Sequence, residues 1–146
     1  MRELPRQLSA EELAELFEGR TRFVELLAER EDPLEHAPEV IAVLSDVEKR
    51  EVLDAHPAIG QTKGLSARSA AEQGADVDPE VLAELARLSA EYEARHGFRF
   101  VVFVNRRPKA EILEVLQVRI DNPTDAELET ALGELVAIAT DRWQRG

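Results

Sequence analysis

The sequence predicts an all-α protein. Three observations carry this: helix-start signals recur along the chain, apolar residues repeat at helical spacing behind each one, and only one segment has β-forming composition. The expected architecture is a single-domain bundle over residues 1–146, with about seven to nine helices and one extended apolar connector. At 146 residues the chain is long enough to bury a real core. Aromatic residues make up only 5%, so that core must be mostly Leu, Val, Ile and Ala.

The elements follow in order. "SAEE" (Ser9 to Glu12) is a capping box, in which serine caps a backbone N–H and glutamate reaches back. Leu13, Leu16 and Phe17 share the following face, and Gly19 is expected to close the helix. Thr21 can start a second helix carrying Phe23, Leu26 and Leu27. Pro38 suits the first turn of a third, through Val40, Ile41 and Leu44. "SDVE" (Ser45 to Glu48) is a second capping box, whose helix runs up to His56. Asp78 and Pro79 open a long helix with Leu82, Leu85, Ser89 and Tyr92 inward, ended by Gly97. Pro108 opens another, closed near Asn122. "TDAE" (Thr124 to Glu127) reads as the cap of the last, with Leu128, Leu132, Leu135 and Ala139 as its stripe. "FRFVVFV" (Phe98 to Val104) departs from the pattern. A lone strand would leave its amides unpaired, so it reads either as a buried connector or as a segment whose N–H groups face a ligand.

Charge and composition narrow the function. A net charge of −12 argues against nucleic acid and against anionic membrane surfaces, since both need a basic patch. A small anionic substrate stays open, because a buried site is ruled by local charge. With no cysteine, thiolate catalysis, disulfides and Cys-ligated metals are out. No H-E-x-x-H, phosphate-binding glycine loop or G-x-S-x-G elbow is present, and no metal site is expected. No signal-like run precedes the first helix and no apolar run reaches membrane-spanning length, so the expected location is the cytoplasm.

The stretch "HPAIGQTKGLSARSAAEQ" (56 to 73) breaks the helical regularity. His56 is the side-chain type that gives and takes protons near neutral pH, and Pro57 fixes the backbone beside it. Ser69, Glu72 and Gln73 fall at i, i+3 and i+4, so a helix there would present a hydroxyl, a carboxylate and an amide on one face. Such a set can hold a ring or urea group rich in N–H and C=O; it can equally be a solvated face.

"HPAIG", "SAAEQ", "YEARHGFRFVVFV", "RIDN" and "IATDRW", in that order, resemble the OHCU decarboxylase family, whose substrate is 2-oxo-4-hydroxy-4-carboxy-5-ureidoimidazoline, an intermediate of urate breakdown. The resemblance implies an all-α homodimer without cofactor, acting on this anionic ureidoimidazoline to give (S)-allantoin. It implies that His56 is catalytic with Glu72, and that Pro57 shapes the pocket. Ser69 and Gln73 would contact the substrate, as would backbone along Phe98, Phe100, Val101 and Val102. Arg142 aligns with an arginine that serves the family's site; Lys63, Arg68 and Arg119 are weaker candidates for a cation there. Ala58 and Asn105 depart from the family, which often has a charged residue and a glycine there; Asn tolerates positive φ. A non-catalytic helical module, or a helical hydrolase of a related cyclic amide, are the rival readings.

Overall fold

The computed structural model describes residues 2–58 and 78–146. Among them are seven α-helices and no strand: α1 (Ala10–Phe17), α2 (Arg22–Ala28), α3 (Ala37–Ala42), α4 (Asp46–Asp54), α5 (Pro79–His96), α6 (Lys109–Arg119) and α7 (Thr124–Arg145). α7 is the axis of the bundle, packed against α1, α3, α4 and α5; α2 lies against α1, α3 and α4, and α6 against α5. Leu13, Phe23, Leu53, Leu85, Ile112 and Leu132 are among the buried residues of one continuous core. No helix among the described residues is long and apolar enough to cross a membrane.

Local signals set most of the helix starts. Ser9 and Ser45 both form complete capping boxes, with Glu12 and Glu48. Thr21 caps α2 through Val24 N–H, and Asp78 caps α5 ahead of Pro79. α7 is an exception to the sequence reading. Its N-cap is Pro123, and Thr124 to Glu127 form no capping box. The Thr124 hydroxyl instead pairs with His96 Nδ1 at 2.7 Å, and Glu127 is fully buried among partners in the core. Two further expectations shift. The residue that turns left-handed at the end of α1 is Glu18 (φ 64°), not Gly19. The buried stripe of α5 is Leu85, Leu88, Tyr92 and His96, with Leu82 and Ser89 only half-buried.

Phe98 to Val104 is the expected connector. It runs without a β partner from Gly97, itself left-handed at φ 80°, to a turn at Asn105 and Arg106 with φ 47° and 63°. The asparagine thus does the work of a glycine at that turn. Phe98, Phe100, Val101, Val102 and Val104 are all buried, and the Phe98 and Phe100 rings both meet Tyr92 edge-on.

Candidate active site

His56 stands just beyond α4. Ala55 caps the helix, the His56 N–H bonds to Leu53 O at 3.1 Å, and Pro57 beside it is half-buried. Two other segments are fastened to this helix end. Arg99, from the connector, donates Nη1 to His56 O at 2.7 Å and to Asp54 O at 3.2 Å, while its own N–H meets Asp54 Oδ1 at 3.0 Å. From the other side comes the α1–α2 turn. Gly19 lies so close that a Cβ there would meet Ala55 Cβ at 3.2 Å, which explains a glycine without any need for positive φ.

The same turn brings in Glu18. Its left-handed conformation is uncommon for a residue with a side chain and suggests a local constraint worth keeping. Its carboxylate lies 3.1 Å from Arg142 Nη1, which also donates to Leu16 O at 2.8 Å. Arg142 is only 2% exposed, so it is no surface arginine at a helix end. α7 puts it there by continuing its buried stripe: Leu135, Ile138, Ala139, Arg142.

His56 is 9% exposed, and its Nδ1 has no hydrogen-bond partner among the described residues. Burial pushes its pKa down to about 4; the positive charges of Arg142 and Arg99 act the same way, and Glu18 partly opposes them. At neutral pH the ring is therefore neutral and begins as a proton acceptor.

This carries a stability signature. The unfolded chain binds a proton at His56 near pH 6.5, the folded chain only near 4. Between these values the unfolded state holds more protons, so the contribution is complete above pH 6.5 and lost as pH falls towards 4. Taking wild type from pH 7 to pH 5 should cost roughly 2 kcal/mol more than the same step costs His56→Gln. Urea unfolding at both pH values measures it, and equal losses in the two proteins would contradict a buried neutral imidazole.

The other histidines have structural partners. His96 Nε2 donates to Ile120 O at 3.1 Å, and His36 Nδ1 lies 3.2 Å from Glu31 O and from Asp32 O. Among the described residues, no group of His, Asp and Glu is placed to hold a metal ion.

The sequence profile of the OHCU decarboxylase family matches residues 2–144. The chain belongs to that family. An OHCU decarboxylase crystallised in the presence of (S)-allantoin shares the fold, with a TM-score of 0.75 at 23% identity over 90% of this chain and 94% of that one. The uric acid degradation bifunctional protein TTL of Arabidopsis thaliana is 35% identical over 97 residues, which cover 60% of this chain and 30% of the plant protein. A 2-oxo-4-hydroxy-4-carboxy-5-ureidoimidazoline decarboxylase of Halalkalicoccus jeotgali is 30% identical over 102 residues, covering 67% and 58%. The chain thus spans from 30% to 58% of the length of these curated relatives.

Of the residues singled out in this OHCU decarboxylase family member, the structure brings together His56, Pro57, Arg142 and, through Arg99, the connector bearing Phe98, Phe100, Val101 and Val102. Ser69, Glu72, Gln73, Lys63 and Arg68 lie outside the described residues. Arg119 is buried and pairs with Glu127 at 2.8 Å, as Arg142 pairs with Glu18. Sequence reasoning missed Glu18 and Arg99. The one signal for Glu18 was an acidic residue directly before the glycine of a helix end.

Proposed function

We propose that this chain decarboxylates 2-oxo-4-hydroxy-4-carboxy-5-ureidoimidazoline to (S)-allantoin in urate breakdown, as a single-domain, cofactor-independent, cytoplasmic homodimer. Family membership and the names of the relatives support the activity. The observation that carries it here is a buried, neutral imidazole whose Nδ1 has no partner among the described residues, under the field of a buried arginine.

The reaction needs little else. The bond from the ring carbon to the carboxylate breaks, CO2 leaves, and the electron pair moves into the adjacent C=N. A proton must then reach the carbon bearing the ureido group. The substrate supplies its own electron sink, so the protein has to orient an anion and move a proton. In this reading Arg142 offsets the substrate's charge inside a chain of net charge −12. The anion's arrival raises the proton affinity of His56, which takes up a proton and delivers it to carbon. Glu72 orients His56 or the substrate, Pro57 shapes the pocket, and Ser69, Gln73 and connector amides hold the ring.

The test is stereochemical. Free in water, the planar intermediate left by CO2 is protonated on both faces and gives a racemate. A clamped ring exposes one face to His56, and ~1.4 kcal/mol of preference already gives a tenfold excess. Fresh substrate, made with urate oxidase and hydroxyisourate hydrolase, should disappear faster when this protein is added. A lasting circular dichroism signal of one allantoin enantiomer should grow with it. No acceleration sinks the activity; accelerated formation of racemate would remove His56 as proton donor.

A further inference from the structure

A second buried polar cluster underlies the connector. Glu127 on α7 is fully buried and accepts from Tyr92 Oη at 2.6 Å, Arg119 Nε at 2.8 Å and Asn122 Nδ2 at 3.0 Å. Arg119 then reaches the connector twice. Its Nη1 donates to Val101 O at 2.7 Å, and its guanidinium carbon stands 4.7 Å over the Phe100 ring. Stability alone does not account for this cluster, because apolar groups of similar volume often serve as well as a buried ion pair.

The partners along the connector alternate. Arg99 N–H meets Asp54, Val101 O meets Arg119, Phe103 N–H meets Glu134 Oε1 at 3.4 Å, and Phe103 O accepts from Arg107 Nη2 at 2.6 Å. The backbone N–H and C=O groups of Phe98, Phe100 and Val102 have no hydrogen-bond partner among the described residues, although all three residues are buried. In an extended chain the N–H and C=O of one residue point to one side, and those of the next to the other. The side-chain bonds to the connector thus fall on one edge, where Arg99 O and Val101 N–H also lack a partner among the described residues; the other edge, at Phe98, Phe100 and Val102, has none among them and is buried. Buried backbone groups left this way are costly unless something meets them.

We infer that Arg119 is a positioning residue: by holding the Val101 carbonyl and the Phe100 ring, it presents the backbone edge of Phe100 and Val102 to the ligand and keeps that of Val101 away from it. The inference rests on the reading above that connector amides meet the substrate, and it narrows which of them do. Arg99 joins this segment to the His56 carbonyl, so a shift of the connector is felt at the imidazole's own backbone.

Titration of the 15N-labelled wild-type protein with (S)-allantoin tests the register. The Phe100 and Val102 amide signals should move saturably, and the Val101 signal least. Movement of Val101 with Phe100 and Val102 still would overturn the inference, and this decides the register whether or not any variant folds. Arg119→Lys keeps a charge beside Glu127 but loses the fork that reaches Val101. Its KM should rise about tenfold, the scale of one lost charge-assisted hydrogen bond, with kcat less changed. Tyr92→Phe removes a different Glu127 partner and should lower Tm while leaving KM within about twofold. An unchanged KM in Arg119→Lys, or an equal rise in both variants, reduces Arg119 to a structural residue and overturns its assignment. Turnover of the ureidoimidazoline without shifts at Phe100 and Val102 overturns the inference alone; neither turnover nor shifts overturns the proposed function with it.

Discussion

His56→Ala is expected to slow turnover of fresh substrate by ~10²–10⁴-fold, the usual loss when a positioned proton-transfer group is removed. The fold should survive, because the imidazole Nδ1 has no hydrogen-bond partner to lose among the described residues and the helix end is held by backbone bonds. Arg99 grips the carbonyl of residue 56, which alanine keeps. Single-turnover kinetics with a far-ultraviolet spectrum give both quantities. A folded variant with near-normal turnover would dismiss His56 from the chemistry, and the enantiomeric signal should weaken along with the rate.

Arg142→Ala should lose on two counts. It leaves the Glu18 carboxylate and the Leu16 carbonyl without this partner beneath the surface, and breaking a buried pair in this way costs about 3–5 kcal/mol. It also removes the cation proposed to meet the anion, so catalytic efficiency should fall with it. A second variant separates these effects. Arg142→Met combined with Glu18→Gln removes both charges and roughly keeps the volume, which is often neutral for stability. This double variant should unfold close to wild type and still be inactive. Wild-type efficiency in a chain without that charge would show Arg142 to be a strut of the bundle.

The helical plan was legible because its signals are local. A serine and a glutamate three residues on satisfy each other's backbone wherever the rest of the chain goes, and Ser9 and Ser45 do so. The same logic failed at Thr124, where His96, distant in sequence, takes the hydroxyl and the core takes Glu127. The connector was legible as an interruption, but the alternation of its partners was not, since those partners come from α4, α6 and α7 and the turn at Arg107. Arg142 came from the resemblance alone; its place on the buried face of α7, after Leu135, Ile138 and Ala139, is seen only in the structure. What it meets, Glu18, was hidden, because an exposed and a buried glutamate at a helix end look alike until the tertiary contact is made.

The bond between Arg142 and Leu16 joins positions 126 apart. Closing a loop of that length costs about 2 kcal/mol more in chain entropy than closing one of ten residues, and nothing local offsets it until the core beneath is in place. α1, α2 and α4 can each begin from their own caps, but Arg142, the cation proposed for the site, meets Leu16 and Glu18 only when the final helix docks on the first. With Arg142 in its proposed role, competence to bind an anion is expected late in the folding of each chain. Partly folded species, however helical, lack Arg142 beside Leu16 and Glu18 and are expected to show no turnover.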